Sequence, residues 1–180
     1  MCLRSQEVES QLDLRRVQQL PQHTQTHISR MTHSAGLLLA LGASLIAVAS
    51  TTIVQDCGSK ATVNGVKVSG CELPPCLLKR GEDIVVEIDF ENLQETTESL
   101  TAKVHGNIGG VDIPWFGVDE NACNDLTVGD CPVEGNEKIY YSAHVPILSS
   151  YPAVAVIVKW QLLTQNNEDA ACFLVPAQIV

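Results

Sequence analysis

Ile84-Val-Val-Glu-Ile-Asp-Phe90 is the stretch that decides the fold. In an extended chain Ile84, Val86, Ile88 and Phe90 share one face, and Glu87 and Asp89 share the other. That period of two marks a half-buried strand; an amphipathic helix would repeat about every 3.6 residues. The pattern recurs outward from this point. Leu100, Ala102 and Val104 alternate with Thr101, Lys103 and His105. In Ile139-Tyr-Tyr-Ser-Ala-His-Val-Pro-Ile147 the odd positions form the apolar face. Val154, Val156, Val158 and Trp160 line a dry face whose opposite side carries Lys159.

Turn signals separate these runs: Asn64-Gly65, Lys79-Arg-Gly81, Gly109-Gly110, Gly129-Asp130, Gly135-Asn136 and Asn166-Asn167. Beyond residue 49 no stretch has strong helical periodicity. Roughly seven short strands with frequent turns predict an all-β chain, an immunoglobulin-like two-sheet antiparallel β-sandwich.

The chain has 180 residues, 45% of them hydrophobic and 18% charged, which allows a buried core and one domain, two at most. Eleven Lys and Arg against twenty-one Asp and Glu give a net charge of −10. Nucleic acid is excluded as a partner because it needs a basic face, and stable anchoring on anionic membrane is excluded for the same reason.

Residues 1–30 are polar and Gln-rich, and read as an upstream extension that is disordered or absent from the working protein. Met31-Thr-His-Ser then leads into Ala35-Gly-Leu-Leu-Leu-Ala-Leu-Gly-Ala-Ser-Leu-Ile-Ala-Val-Ala49. This apolar run has the length of a signal-peptide core and is short of the ~20 residues of a membrane span. Ala47 and Ala49 supply the small residues of a cleavage site, so 31–49 is predicted to be a signal peptide and 50–180 the mature domain. The mature part carries seven Lys and Arg against eighteen Asp and Glu, a charge of −11.

Of seven cysteines, Cys2 falls in the leader and six remain: Cys57, Cys71, Cys76, Cys123, Cys131 and Cys172. In an exported chain these read as three disulfides, and sequence alone leaves fifteen pairings open. Cys71 and Cys76 bracket Glu-Leu-Pro-Pro, and Cys123 and Cys131 bracket a Gly- and Asp-containing turn. Both look like local clips, which leaves Cys57 and Cys172 to staple the ends. Zinc is not expected, since there is no C-x-x-C pair with a second pair at zinc spacing and His105 and His144 are remote from the cysteines.

The order and spacing of several motifs carry a resemblance. Asp56-Cys-Gly-Ser59 opens the domain, and Cys71-Glu-Leu-Pro-Pro-Cys76 leads into Leu-Leu-Lys-Arg-Gly81. Val104-His-Gly106 precedes Gly110-Val-Asp-Ile-Pro-Trp115; Cys131-Pro132, Tyr151-Pro152, Trp160-Gln-Leu162 and Cys172-Phe-Leu-Val-Pro176 follow. Over 52–180 this resembles the Niemann–Pick type C2 family of secreted lipid-binding proteins (ML lipid-recognition domains, with the group 2 mite allergens), in its arthropod form. The resemblance implies the pairing Cys57–Cys172, Cys71–Cys76 and Cys123–Cys131. It also implies an apolar cavity between the sheets for a sterol or, in arthropod members, a fatty acid or related signal. At the cavity mouth it places Trp115, Ile147 and Tyr151. The inward positions Val86, Ile88, Val104, Ile113, Val156 and Val158 complete the expected lipid-binding set.

Trp115 departs from the pattern: sterol-binding members usually carry a smaller phenylalanine there, in a Pro-rich stretch that Trp115-Phe-Gly-Val lacks. Small branched side chains and few aromatics suit the walls of an apolar pocket. Trp160, on a dry face in mid-strand, reads as core.

Enzyme chemistry finds no support, since the chain has no Gly-x-Ser-x-Gly, no His-Glu-x-x-His and no phosphate-binding loop. The expected protein is a monomeric secreted carrier with no cofactor beyond an apolar lipid, sterol or fatty acid. The same reading leaves room for a membrane protein that receives the lipid, for an endolysosomal location, and for a lipid-presenting role in innate immunity. The mature part has no Asn-x-Ser/Thr sequon, which favours extracellular carriage over a glycan-directed lysosomal route.

Overall fold

The computed structural model describes residues 50–180. The expectations for 1–30, for a signal peptide over 31–49 and for Cys2 lie outside the described residues.

Ten strands form the domain: β1 (Gln55–Asp56), β2 (Thr62–Val68), β3 (Cys76–Leu78), β4 (Asp83–Glu91), β5 (Leu100–Ile108), β6 (Val111–Pro114), β7 (Leu126–Val128), β8 (Lys138–Pro146), β9 (Ala155–Thr164) and β10 (Asp169–Ile179). A single 3₁₀ turn, Ala122–Asp125, precedes β7. One sheet runs β1-β10-β9-β5-β6, with β3 also on β10; the other runs β2-β4-β8-β7. All pairings are antiparallel except β3 on β10, which is parallel. β1 and β3 pair with different stretches of β10, β1 at Phe173 and Leu174 and β3 at Ala177 to Ile179.

The strand count exceeds the seven expected because β1, β3 and β7 are two or three residues long. Alternation cannot show in so few positions; pairing with a longer neighbour makes these segments extended. Asn64-Gly65, read as a turn, lies inside β2 instead, where the register slips against β4 between Val63 and Gly65. A glycine inside a strand commonly marks such a bulge. A Cβ there would come 3.2 Å from the Thr51 methyl. Gly109 and Gly110, both at positive φ, do form the two-residue turn joining β5 to β6.

The alternating faces meet between the sheets. Ile88, Phe90, Ile139 and Tyr141 from one sheet, and Leu100, Trp160, Leu162 and Phe173 from the other, are essentially fully buried. Burying a large apolar side chain contributes about 1.5–3 kcal/mol, so this layer dominates the stability. Trp160 stacks on Phe173 (centroids 6.3 Å apart, planes 3° apart) and meets Tyr141 edge-on at 6.1 Å. Among the described residues the buried side chains of Thr52 and Asn92 are hydrogen-bonded, while the Tyr141 hydroxyl and the Trp160 indole nitrogen find no partner. Thr52 Oγ1 donates to the Cys71 carbonyl and accepts from Val68 N–H, and Asn92 Nδ2 donates to the carbonyls of Val133 (3.1 Å) and Glu134 (2.9 Å).

Three disulfides join Cys57 to Cys172, Cys71 to Cys76 and Cys123 to Cys131. The first ties the residue that follows β1 to β10 across 115 positions of sequence. In the chain-entropy account a loop of that length stabilises by about 4–5 kcal/mol.

Candidate functional site

The inward faces do not fill the space between the sheets completely. A cavity remains, with room for the centre of a water-sized sphere in about 30 Å³. From one sheet it is walled by Val68 of β2, Ile84 and Val86 of β4, and Val145 of β8. Val158 and Trp160 of β9, with Phe173, Val175 and Ala177 of β10, form the opposite wall. Cys76 and Leu78 of β3 close one flank and Trp115 another. Valine dominates these positions because a β-branched side chain suits a strand yet reaches only a short way inward. Pockets that hold drug-sized ligands measure roughly 300–1,000 Å³, so the sheets lie close to fully shut.

Trp115 stands at the boundary of this cavity. It follows β6, and its backbone N–H donates to the Val104 carbonyl (2.9 Å). Its indole Nε1–H donates to the Pro146 carbonyl (3.3 Å), and its ring meets that of Tyr151 edge-on at 5.2 Å. Gly106 lies beneath: a Cβ there would approach the Trp115 ring to 3.5 Å and Val156 to 3.0 Å. The Tyr151 hydroxyl in turn accepts the Phe116 N–H (3.3 Å). Arg80 steadies the same corner by donating to the Tyr151 carbonyl (3.4 Å) and that of Val180 (3.3 Å).

On its other side Trp115 walls an outer groove of about 110 Å³, shared with Ile108, Ile113, Phe116, Tyr151 and Val156. Phe116 is 62% exposed there and Ile113 45%, large apolar side chains left in contact with solvent. The half-buried Trp115 thus belongs to the walls of both an apolar interior and an apolar groove on the surface.

Of the residues singled out in the sequence, Val86, Val158 and Trp115 lie on the inner cavity. Tyr151, Ile113 and Val156 lie on the outer groove. Val104 lines a third depression, on the flank with Lys103, His105 and Glu120. Ile88 and Ile147 are buried and line none of these three spaces. The sequence reading passed over Val68, Cys76, Leu78, Phe173, Val175 and Ala177 as cavity walls. Ile84 and Val145 stood on the correct strand faces, and the level along the strand was the missing signal. Trp160, read as core, is fully buried and also lines the cavity.

The walls of the inner cavity carry no charged side chain. Burial, and the nearby Asp119 carboxylate, hold the Asp125 carboxyl above its usual range. Burial likewise pushes the Tyr141 phenol up, with Asp125 and Asp119 adding to the effect. Both groups lie towards the end of the sandwich where Leu126 of β7 pairs with Tyr141, away from Trp115 and Tyr151.

Residues 51–179 match the sequence model of the ML domain. The chain is 37% identical over 140 residues to the NPC intracellular cholesterol transporter 2 homolog a of Drosophila melanogaster, covering 76% of this chain and 93% of that protein. It is 37% identical over 138 residues to the ecdysteroid-regulated 16 kDa protein of Manduca sexta, covering 75% and 93%. Against the NPC intracellular cholesterol transporter 2 of Bos taurus the identity is 32% over 146 residues, covering 81% and 95%. Among solved structures, a Niemann-Pick type C2 protein from Japanese carpenter ant shares the fold, with a TM-score of 0.63, 24% identity, and coverage of 71% of this chain and 99% of that one. A family match across the whole described sandwich, with relatives aligned over nearly their full length, settles the lineage: this chain belongs to the ML-domain family.

Proposed function

We propose that the protein is a carrier that holds one apolar lipid, a sterol or a fatty acid, between its two sheets and delivers it through the Trp115 corner. One observation carries this reading: a wholly hydrophobic cavity and an outer apolar groove share Trp115 in their walls. When the Trp115 ring turns out of its contacts with Tyr151 and Pro146, the two spaces become one passage. The sheets then part as the lipid enters. Each methylene taken from water contributes about 0.8 kcal/mol, and a sterol or long acyl chain brings enough of them to offset the opening of the interior. The relatives named as cholesterol transporters support sterol as the first ligand class. Arg80, a cation beside Tyr151, favours a fatty-acid carboxylate as the second.

Carriage requires a water-soluble complex, and the acidic surface suits a secreted monomer that meets membranes or a receiving membrane protein only to exchange cargo. The test is lipid extraction from the purified native protein followed by mass spectrometry, with titration of sterols and fatty acids monitored by tryptophan fluorescence. The reading expects a co-purifying apolar lipid and saturable quenching. Absence of both would overturn it.

A further inference from the structure

We infer that the depression on the flank of Trp115 receives a zwitterionic, phosphocholine-type head group, so that the cargo includes single-chain phospholipids. This rests on the carrier reading and specifies a class of cargo. The depression, of about 310 Å³, lies between β5 and the loop 115–120. That loop is tied to β5 at both ends, by the Trp115 N–H on the Val104 carbonyl (2.9 Å) and by the Ala102 N–H on the Glu120 carbonyl (2.8 Å). Between the ties it turns at Gly117, at positive φ, and leaves the space open. Lys103 and His105 line it from β5; Trp115, Phe116 and Glu120 line it from the loop. Of the three spaces that Trp115 borders, this one alone has charged side chains in its wall. Those charges are uncommitted. Lys60, Lys67, Lys79 and Lys138 each pair with a carboxylate, whereas Lys103 and Glu120 form no ion pair with each other or with any other described residue. The neighbouring Asp119 carboxylate is already taken, accepting from the Asn121 N–H (2.9 Å) and from Asn124 Nδ2 (2.9 Å). Lys159 of β9 stands opposite His105 and adds a second cation on that side.

A cation and an anion held apart in one hollow suit a ligand that carries both charges. Phosphate oxygens accept from the Lys103 ammonium and a His105 ring N–H. A quaternary ammonium has no N–H to donate and is held by carboxylate charge and aromatic faces, the groups that Glu120, Trp115 and Phe116 provide. A purely anionic head would meet Glu120 in the same hollow, within a domain of net charge −11. A sterol hydroxyl alone would leave both charges unanswered. Head and tail meet at Trp115, which belongs to the walls of both the depression and the inner cavity. That cavity is nearly shut, so one acyl chain parts the sheets less than two would.

The experiment compares three lipids with one palmitoyl chain each, by calorimetric titration of the wild-type protein: palmitoyl-lysophosphatidylcholine, palmitoyl-lysophosphatidylglycerol and monopalmitoylglycerol. They share the tail and differ in having both charges, the phosphate alone, or neither. Lysophosphatidylcholine should bind about three- to tenfold more tightly than either of the others, the worth of a charged contact at a partly open site. Lys103→Gln should weaken both phospholipids about three- to tenfold relative to monopalmitoylglycerol. Glu120→Gln should abolish the advantage of the choline head over the glycerol head. Both side chains are exposed, and the wild-type ranking decides by itself if a variant does not fold. Lysophosphatidylcholine bound no more tightly than lysophosphatidylglycerol or monopalmitoylglycerol would overturn this inference and leave the carrier reading intact. Free phosphocholine bound as tightly as the lipid would detach the depression from the cargo and overturn it too. If none of the three lipids binds while cholesterol or palmitate does, this inference alone falls; if those also fail, the carrier reading falls with it.

Discussion

Replacing Trp115 by alanine probes the corner through which we propose that lipid is delivered. The substitution removes an edge-to-face pair with Tyr151, worth about 0.5–1.5 kcal/mol, and a hydrogen bond to the Pro146 carbonyl, worth about 1 kcal/mol. It also strips the apolar contact of a half-buried ring. Together with the space left behind, the loss should be about 2–4 kcal/mol, at the low end for tryptophan truncation because the ring is only partly buried. For a domain of this size that is a fall in Tm of roughly 8–15 °C by calorimetry. Trp115→Phe keeps a ring against Tyr151 and should lose about 1 kcal/mol, the hydrogen bond alone. The functional consequence is kinetic. With the divide between cavity and groove removed, release of a fluorescent sterol or fatty acid to acceptor vesicles, followed by stopped flow, should quicken at least about tenfold, equivalent to about 1.4 kcal/mol of lost barrier. Affinity should fall further for Trp115→Ala than for Trp160→Phe. Unchanged release, or equal losses from the two substitutions, would refute the assignment of Trp115 as the gate.

Other expectations follow from particular contacts. Replacing Cys57 and Cys172 by alanine should cost about 4–5 kcal/mol, and replacing Cys123 and Cys131 about 2–3 kcal/mol, because the loops they close differ from 115 to 8 positions; denaturant melts measure both. Gly117→Ala should destabilise by about 1–3 kcal/mol and speed lipid release, since Gly117 lies at φ +89° and a Cβ would fall 2.4 Å from Pro146, whose carbonyl holds the Trp115 indole. Asp125 has a folded pKa raised by burial and by Asp119, so its ionised form opposes folding at pH values above the ordinary 3.8. Asp125→Asn should accordingly raise the melting temperature slightly at neutral pH, and the gain should vanish as pH falls below that value, where both side chains are neutral.

The long strands were legible because each carries enough residues for alternation to show: β4, β5, β8 and β9 bury the faces that the sequence assigns inward. β1, β3 and β7 owe their conformation to neighbours distant in the chain, so no local pattern marks them. Asn64-Gly65 shows the limit of turn chemistry, since the same dipeptide serves a bulge once β4 supplies partners on both sides of it. At the site, strand faces could be read but depth could not. Val86 and Ile88 point the same way from β4, yet Val86 borders the cavity and Ile88 does not. What separates them is the placement of the opposite sheet, a property of the whole sandwich. Trp115 was identifiable as a special position, but its contacts with Pro146, Tyr151 and Gly106 are ones that only the fold brings to it.

The central claim, that lipid lies between the sheets, is tested most directly in the Trp115→Phe protein, where Trp160 is the sole tryptophan. Trp160 is buried inside the sandwich, and bromine on a lipid chain quenches tryptophan only on close approach. Titration with brominated palmitate and brominated sterol should quench Trp160 saturably at one lipid per chain, while iodide in solution leaves it bright. Lipid that binds with undiminished Trp160 fluorescence would lie outside the sheets and contradict the account.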